Sequence, residues 1–298
     1  ANTKDMENYQ YAHQLLELYG YLQNGTNVKE ISDAILEIYS NPLSIFDILN
    51  IITNGNVFQR LQASIGLQKI LAAHWRTLKN LEQAESIKAN ILQVLKKEDN
   101  QSIQATIVYA MEEILHVNSD NISYDEPWEE LFPFLEQLFQ SNDNNQYKIA
   151  LKILFIMVPS STIFPDERLK MIMDLILEHI VLAMNNVKVD MEYFLAGAEL
   201  FMQLLAKAGP IIGVPAPQPV PNILQHILTT FHQLLIQGYD YSYKVSEIIS
   251  GIIRGNFNNY IPNEDIYNYL CQMLMDERIS PNYHYLIFAP IEVYFDKT

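Results

Sequence analysis

Residues 28–71 decide the fold, and they read VKEISDAILEIYSNPLSIFDILNIITNGNVFQRLQASIGLQKIL. Apolar residues recur here every three or four positions, which places them on one face of an α-helix. The pattern is interrupted at Ser40-Asn41-Pro42 and at Asn54-Gly55-Asn56, and such residues end and begin helices. The stretch therefore predicts three amphipathic helices joined by short turns. Their apolar stripes are Val28/Ile31/Ile35/Ile38, Ile45/Ile48/Leu49/Ile52 and Ala63/Leu67/Ile70/Leu71.

The same helical spacing continues along the rest of the chain, where we find no convincing alternation of the kind that indicates strands. The helices fall into pairs, and the first helices of successive pairs begin 29, 45, 42, 44, 51 and 41 residues apart. Tandem repeats of about 40–47 residues with two helices each are typical of the HEAT class. The predicted starts are Val28, Val57, Ser102, Asn144, Lys188, Tyr239 and Ser280.

One such pair cannot bury its apolar face alone, so pairs stack around a continuous core. We therefore predict an all-α fold: a single α-solenoid of about six to seven HEAT-type helical hairpins over residues 1–298. The proline-rich stretch at 209–221 is interpreted as a stiff loop between helices. Residues 285–295 are still apolar and aromatic, which is compatible with a truncated array. The predicted regions are a capping helix within 1–27, repeats at 28–140 and further repeats at 141–298.

The charge balance excludes some partners and favours others. The chain has 19 Lys and Arg against 35 Asp and Glu, a formal net charge of −16, so a nucleic-acid backbone would be repelled. Between Lys97 and Lys148 there is no Lys or Arg, and this stretch contains eleven carboxylates. We therefore expect partners with basic surfaces, whose encounter the acidic stretch would accelerate.

Motifs of catalysis, metal binding and membrane insertion are absent from the sequence. It has neither a glycine-rich phosphate-binding loop nor an H-E-x-x-H pair, and His226 and His232 are too far apart to act as i, i+4 ligands. The single cysteine, Cys271, lies among apolar residues and is predicted to be core. We therefore expect no enzyme activity, cofactor, metal or membrane insertion. An active site gathered from distant repeats is the alternative that the sequence leaves open.

Three segments resemble the N-terminal repeats of the importin-β (karyopherin-β) superfamily. The first is 56–76, NVFQRLQASIGLQKILAAHWR, which is similar to the family pattern that ends in His-Trp. The second, IKANI at 87–91, resembles the helix that follows it, and the third, PWEELFPFL at 127–135, resembles the family's WPELLPFL element. Two departures from the pattern are Gln68, where Lys is commoner, and a proline that precedes Trp128 instead of following it. Beyond about residue 160 the resemblance is one of architecture alone.

This resemblance implies a nuclear transport receptor of the importin or exportin kind, or the N-terminal part of one. In that family the N-terminal repeats bind the small GTPase Ran in its GTP form, protein cargo lies on the concave surface, and Phe-Gly nucleoporins dock between outer helices. The implied localisation is the cytoplasm and the nucleus, including the nuclear pore and envelope. Together with the acidic charge, it implies cargo with a basic surface.

Residues that would contact the GTPase are predicted at polar positions opposite the apolar stripes of the second helices. The alternative, that each is an ordinary solvated residue, stays open because exposed polar residues need no function. Trp75, Lys88 and Trp128 belong to the resemblance but are expected to hold the fold. The Ran-binding candidates are Asp47, Asn50 and Asn54 on helix 43–54, Asn90, Gln93 and Lys97 on helix 84–97, and Glu129, Glu136 and Gln140 after Trp128.

A second function is compatible with the same fold. A HEAT array could act as a Ran-independent scaffold for a phosphatase, trafficking or other multiprotein complex. Such a scaffold would use the same concave surface but would be indifferent to the GTPase. The two functions differ in one measurable property, the response of bound partners to Ran in its GTP form.

Overall fold

The all-α prediction is confirmed in a computed structural model of the chain. The structure describes residues 10–118, 121–212, 217–238, 240–255 and 262–297. Contacts between residues divide the chain into two compact units, Ala1–Gln140 and Ser141–Thr298, which we call unit 1 and unit 2. The predicted helix start at Tyr239 and the centre of the proline-rich stretch, 213–216, lie outside the described residues.

Unit 1 contains seven helices and a small hairpin in its described part. Two three-residue strands pair antiparallel, with Val117 opposite Tyr124. This hairpin corrects the prediction that the chain has no strands, because strands of three residues are too short to show an alternating pattern in the sequence. The elements are α1 (Ala12–Gln23), α2 (Val28–Tyr39), α3 (Ser44–Asn54), α4 (Val57–Leu78), α5 (Ala84–Lys97), α6 (Gln101–Leu115), β1 (His116–Asn118), β2 (Ser123–Asp125) and α7 (Leu131–Gln140).

In the part of unit 2 that the structure describes, the secondary-structure elements are all helices, joined by turns. A short 3-10 helix, Pro281–Tyr283, leads into its last α-helix. The helices are α8 (Asn144–Met157), α9 (Asp166–Asn185), α10 (Met191–Ile212), α11 (Pro219–Gln237), α12 (Ser242–Gly255), α13 (Asn263–Leu274) and α14 (His284–Lys297).

Most helices in each unit pack against the next helix but one, as in a stacked repeat. In unit 1, α4 packs between α2 and α6, while α3 packs between α1 and α5. In unit 2, α10 packs between α8 and α12, α12 packs against α14, and α9 against α11. The even-numbered and odd-numbered helices therefore form two layers within each unit, as expected for helical repeats.

The six predicted starts within the described residues lie within four residues of the beginnings of even-numbered helices, from α2 at Val28 to α14 at His284. The phase of the pairing differs, however. Each even-numbered helix of unit 1 packs more extensively against the preceding helix than against the following one, and α4 packs on α3 but only marginally on α5. The helices interpreted as first members of pairs are thus better described as second members. Apolar periodicity locates helices but does not show which neighbour each one prefers.

A capping box sets the start of α4. The side chain of Asn56 accepts a hydrogen bond from the backbone N–H of Gln59, and the Gln59 side chain accepts one from the backbone N–H of Asn56. These two bonds satisfy donors that the first turn of a helix leaves free. The Asn54-Gly55-Asn56 interruption in the sequence therefore acts as a helix-start signal.

The centre of unit 1 depends on a close approach between α2 and α4. The ring of Tyr39 lies against Gly66, where an added Cβ would come within 2.6 Å of Tyr39 Cζ and Oη. The Tyr39 and Tyr19 hydroxyls are 2.5 Å apart and share a hydrogen bond. Burial is the main reason that the pKa of both hydroxyls is raised, to about 12 for Tyr39. This tyrosine pair joins α1 to α2 and fits against α4 only because residue 66 has no side chain.

Candidate protein-binding surface

Three of the nine predicted residues line one cleft of unit 1. The cleft has a volume of about 310 Å³ and lies among α3, α4 and α5. Asn90, Gln93 and Lys97 of α5 line it, with Thr53 of α3 and Arg60 of α4 among the other lining residues. Gln93 and Lys97 are exposed, whereas Asn90 is half-buried. Their amide and ammonium groups make this a polar cleft rich in hydrogen-bond donors.

An ion pair between the partly exposed Arg60 and the buried Glu98 forms one wall of the cleft. Arg60 donates from Nε to Glu98 Oε2 at 3.0 Å and from Nη2 to Glu98 Oε1 at 3.1 Å. Its Nη1 donates to the backbone oxygen of Gly55 at 3.0 Å, and the backbone N–H of Asn100 donates to Glu98. Glu98 is 4% exposed, and hydrogen bonding to it raises the pKa of Arg60. The charge of Arg60 is balanced by Glu98, and its hydrogen bonds hold this wall of the cleft in place. Lys97 is therefore the cation of the cleft lining that a partner can reach.

The cleft suits a particular kind of contact. The polar residues Asn90, Gln93 and Lys97 line it together with the apolar residues Ile52 and Val94. Such a surface can accept a carboxylate or carbonyl oxygen from a partner with an apolar group beside it. The spacing of the three residues, at i, i+3 and i+7 of one helix, was visible in the sequence. The contribution of Arg60 was not predicted, because Glu98 is 38 positions away.

Asn50 and Asn54 form a pair on α3 that is not part of the cleft lining. The Nδ2 of Asn54 donates to Asn50 Oδ1 at 2.6 Å, one helical turn away. Asn54 is exposed and Asn50 is half-buried. They remain available at the edge of the α3 surface, where Asn54 could reach a partner.

The prediction for Asp47 is wrong. Its side chain is 1% exposed, and its Oδ1 accepts hydrogen bonds from the backbone N–H groups of Tyr11 and Ala12 at 3.0 and 2.9 Å. These groups lie at the start of α1, so Asp47 acts as a cap supplied by another helix. Burial raises the pKa of Asp47, while the two backbone donors act in the opposite direction. A residue in this position cannot contact a partner.

We expect Asp47→Ala to lower the stability of α1, because two backbone donors lose their acceptor. The loss should be about 1 kcal/mol, typical of a removed cap. Hydrogen exchange of the α1 amides would measure it as faster exchange at 10–23. Asp47→Asn keeps an acceptor oxygen and should exchange more slowly than the alanine variant. Equal protection in wild type and Asp47→Ala would contradict the capping role.

The last three predicted residues lie elsewhere in unit 1. Glu136 and Gln140 are exposed on α7, where Gln140 Nε2 donates to Glu136 Oε1 at 3.4 Å, and the exposed Glu129 precedes the helix. A separate groove of about 250 Å³ lies between α5 and α7, and Trp128 and Lys88 line it. The nine residues therefore do not form a single site: three line the cleft among α3, α4 and α5, five lie elsewhere on the surface, and one is buried.

Residues of the resemblance serve mainly to hold unit 1 together, as expected. Trp75 and Trp128 are 4% and 1% exposed. The Lys88 ammonium lies 5.7 Å from the centre of the Trp128 ring, within the range of a cation–π contact, and 3.2 Å from Glu85. The cation–π contact joins α5 to the segment before α7, whereas the ion pair lies within α5.

Several carboxylates of the stretch between Lys97 and Lys148 form hydrogen bonds or ion pairs within the protein. Glu126 accepts from Lys79 Nζ at 3.1 Å, Asp125 lies 2.6 Å from His116 Nδ1, and Asp143 caps the start of α8. Glu98 is paired with Arg60, as described above. Asp120 lies outside the described residues. Part of the negative charge of this stretch therefore stabilises the fold, and fewer of its carboxylates are available to a partner than the sequence suggests.

Two further observations concern metal ions and membranes. Within the described residues, no group of three or more His, Cys, Asp or Glu is arranged to hold a metal ion. No single described helix is both long and apolar enough to span a membrane, and α2 with α3 meets that criterion only as a pair bent by 115°. Cys271 on α13 is partly exposed, not fully buried as predicted.

Comparison of the sequence with protein-family models gives no match, and comparison with curated proteins gives none. Two crystal structures of engineered proteins, both from the Northeast Structural Genomics Consortium, are similar over 85% of this chain at 14% sequence identity. The first has a TM-score of 0.46 with 98% of its own chain covered, and the second 0.44 with 97%.

Proposed function

We propose that the protein is a nuclear transport receptor of the importin-β type that binds the GTP form of a Ran-type GTPase. The contact surface in this proposal is the cleft lined by Asn90, Gln93 and Lys97. Cargo with a basic surface and Phe-Gly nucleoporins would be further partners, in the cytoplasm and nucleus. The protein would act by binding alone, without a cofactor.

One observation carries the proposal: three residues selected from the sequence line the same donor-rich cleft. The resemblance of 56–76, 87–91 and 127–135 to the N-terminal repeats of that family supports it. Selectivity for GTP has a physical basis, since the γ-phosphate orders the switch segments of a GTPase, which can then meet a preformed surface. Acidic or carbonyl groups of those segments would complement the cleft.

The test is direct binding between the full chain and a purified Ran-type GTPase. The GTPase is loaded with GDP or with a non-hydrolysable GTP analogue, and both affinities are measured by biolayer interferometry. We expect at least a tenfold preference for the GTP form. Lys97→Glu should weaken binding by about tenfold, because a charge is reversed at the contact.

Lys96→Glu is the matched control, since Lys96 is exposed on the same last turn of α5 but is not part of the cleft lining. It should change the affinity by less than threefold. Equal affinity for the GDP and GTP forms, or no binding to either, would overturn the proposal. Partners that are captured from cell extract and are unaffected by the GTP-bound GTPase would then favour the Ran-independent scaffold.

A further inference from the structure

A groove of about 880 Å³ runs along α12 in unit 2, with α10 on one side and α14 on the other. It extends from Tyr243 to Gly255, which corresponds to about 18 Å of helix. Its volume is more than twice that of either cleft described for unit 1. Residues with short side chains make up part of its lining. They are Ser246, Ser250 and Gly251 of α12, Ala206 of α10 and Ala289 of α14.

Close packing among the three helices fixes the shape of the groove. A Cβ at Gly251 would lie 2.1 Å from Met202 Sδ, and a Cβ at Gly255 would lie 2.8 Å from Ala206 Cβ. On the other side, Ser246 Oγ donates to the backbone oxygen of Leu286 at 2.6 Å. These contacts join the three helices, so the groove is part of the packed fold, as preformed binding sites are.

The lining combines apolar, aromatic and acidic groups. Met202, Leu286 and Val293 contribute apolar surface. Tyr243 and Tyr285 are 56% and 62% exposed. Tyrosine rings of this exposure offer their faces to a ligand that enters the groove.

The charges of the groove are unbalanced. Glu247, Glu292 and Asp296 line it against a single cation, Arg254. The Tyr243 hydroxyl donates to the Glu247 carboxylate, a bond that raises the pKa of Tyr243. Carboxylates beside aromatic faces are the surroundings that suit a guanidinium or ammonium group.

We infer that this groove binds an amphipathic helical segment of a partner protein, with arginine or lysine residues flanking its apolar face. The apolar groups would receive the apolar face, as in other helix-in-groove complexes. The small, exposed side chains of Ala206 and Ala289 would let the backbone of the bound helix approach, and the carboxylates and tyrosines would hold its cations. This site lies in unit 2 and does not depend on GTPase binding by unit 1.

The test uses the full chain and two labelled 20-residue helical peptides with the same apolar face. One has arginine at the flanking positions and the other has glutamate. Fluorescence anisotropy should show binding of the arginine peptide only, weakening as salt is added. Glu247→Gln with Glu292→Gln should reduce its affinity about tenfold. Glu167→Gln with Glu178→Gln removes the same charge from exposed positions of α9 and should change the affinity by less than twofold.

The variant Ala289→Trp tests whether binding requires the space of the groove or only the overall negative charge of the chain. Ala289 is exposed, so tryptophan can fill the groove without any change of charge. We expect at least a tenfold loss of affinity with an unchanged circular dichroism spectrum. The inference would be overturned by unimpaired binding to Ala289→Trp, by equal binding of the two peptides, or by equal losses in the two glutamate double variants. None of these outcomes depends on whether the GTPase binds.

Discussion

Replacing Arg60 by methionine is expected to lower the free energy of unfolding of unit 1 by about 3 kcal/mol, because an uncompensated carboxylate is left buried. Glu98 is 4% exposed and has Arg60 as its bidentate partner. Methionine replaces the apolar stem of arginine but supplies no donor. Urea unfolding followed by tryptophan fluorescence would measure the loss. This signal reports on unit 1 alone, since both tryptophans, Trp75 and Trp128, lie there.

Two further variants separate the ion pair from packing. Glu98→Gln removes the buried charge while keeping an acceptor for the Asn100 N–H, so adding it to Arg60→Met should recover more than 1 kcal/mol. Lys69→Met removes an exposed charge from the same helix and should cost less than about 0.5 kcal/mol. If Arg60→Met were no more harmful than Lys69→Met, the pair would have no structural importance.

Gly66→Ala is expected to destabilise unit 1 by about 2 kcal/mol, although alanine normally stabilises a helix relative to glycine. The intrinsic gain is about 1 kcal/mol. The new Cβ, however, would meet Tyr39 Cζ and Oη at 2.6 Å, and overpacking of this kind costs about 1–3 kcal/mol. Moving Tyr39 would also disturb its hydrogen bond with Tyr19. The same tryptophan-monitored urea unfolding gives the measurement.

Gly20→Ala provides the matched control for the sign of this effect. Gly20 lies within α1, is exposed, and has no neighbouring atom within 4 Å of the position a Cβ would take. We expect alanine there to stabilise unit 1 by about 0.5–1 kcal/mol. If both substitutions stabilised unit 1, the Tyr39 and Tyr19 side chains could move at little cost, and the close approach of α2 to α4 would not be required for stability.

The sequence predicted the positions of helices better than their partners. The start at Val57 was visible because Asn56 and Gln59 lie within one turn of each other and form a local capping box. By contrast, the role of Asp47 depends on Tyr11, 36 positions away. Periodicity shows that a face is polar or apolar, but a buried carboxylate on a polar position looks the same as an exposed one.

The same reasoning explains the partial prediction of the candidate sites. Asn90, Gln93 and Lys97 share one helix face, so their proximity could be predicted from spacing alone. The groove of unit 2 requires Ala206, Gly251 and Ala289 to meet from three helices. Nothing in the local pattern of any one helix indicates that these small residues face a common space.

The packing of most helices against their second neighbours also determines how far a disturbance can spread. In such an arrangement the stability is close to a sum of terms for individual repeats and for adjacent pairs. A destabilising substitution in α4 should first affect α2, α3 and α6, with which α4 is in contact. Substitutions several repeats apart should then be nearly additive, and the chain can vary one segment of its surface through evolution while the remaining segments keep their shape.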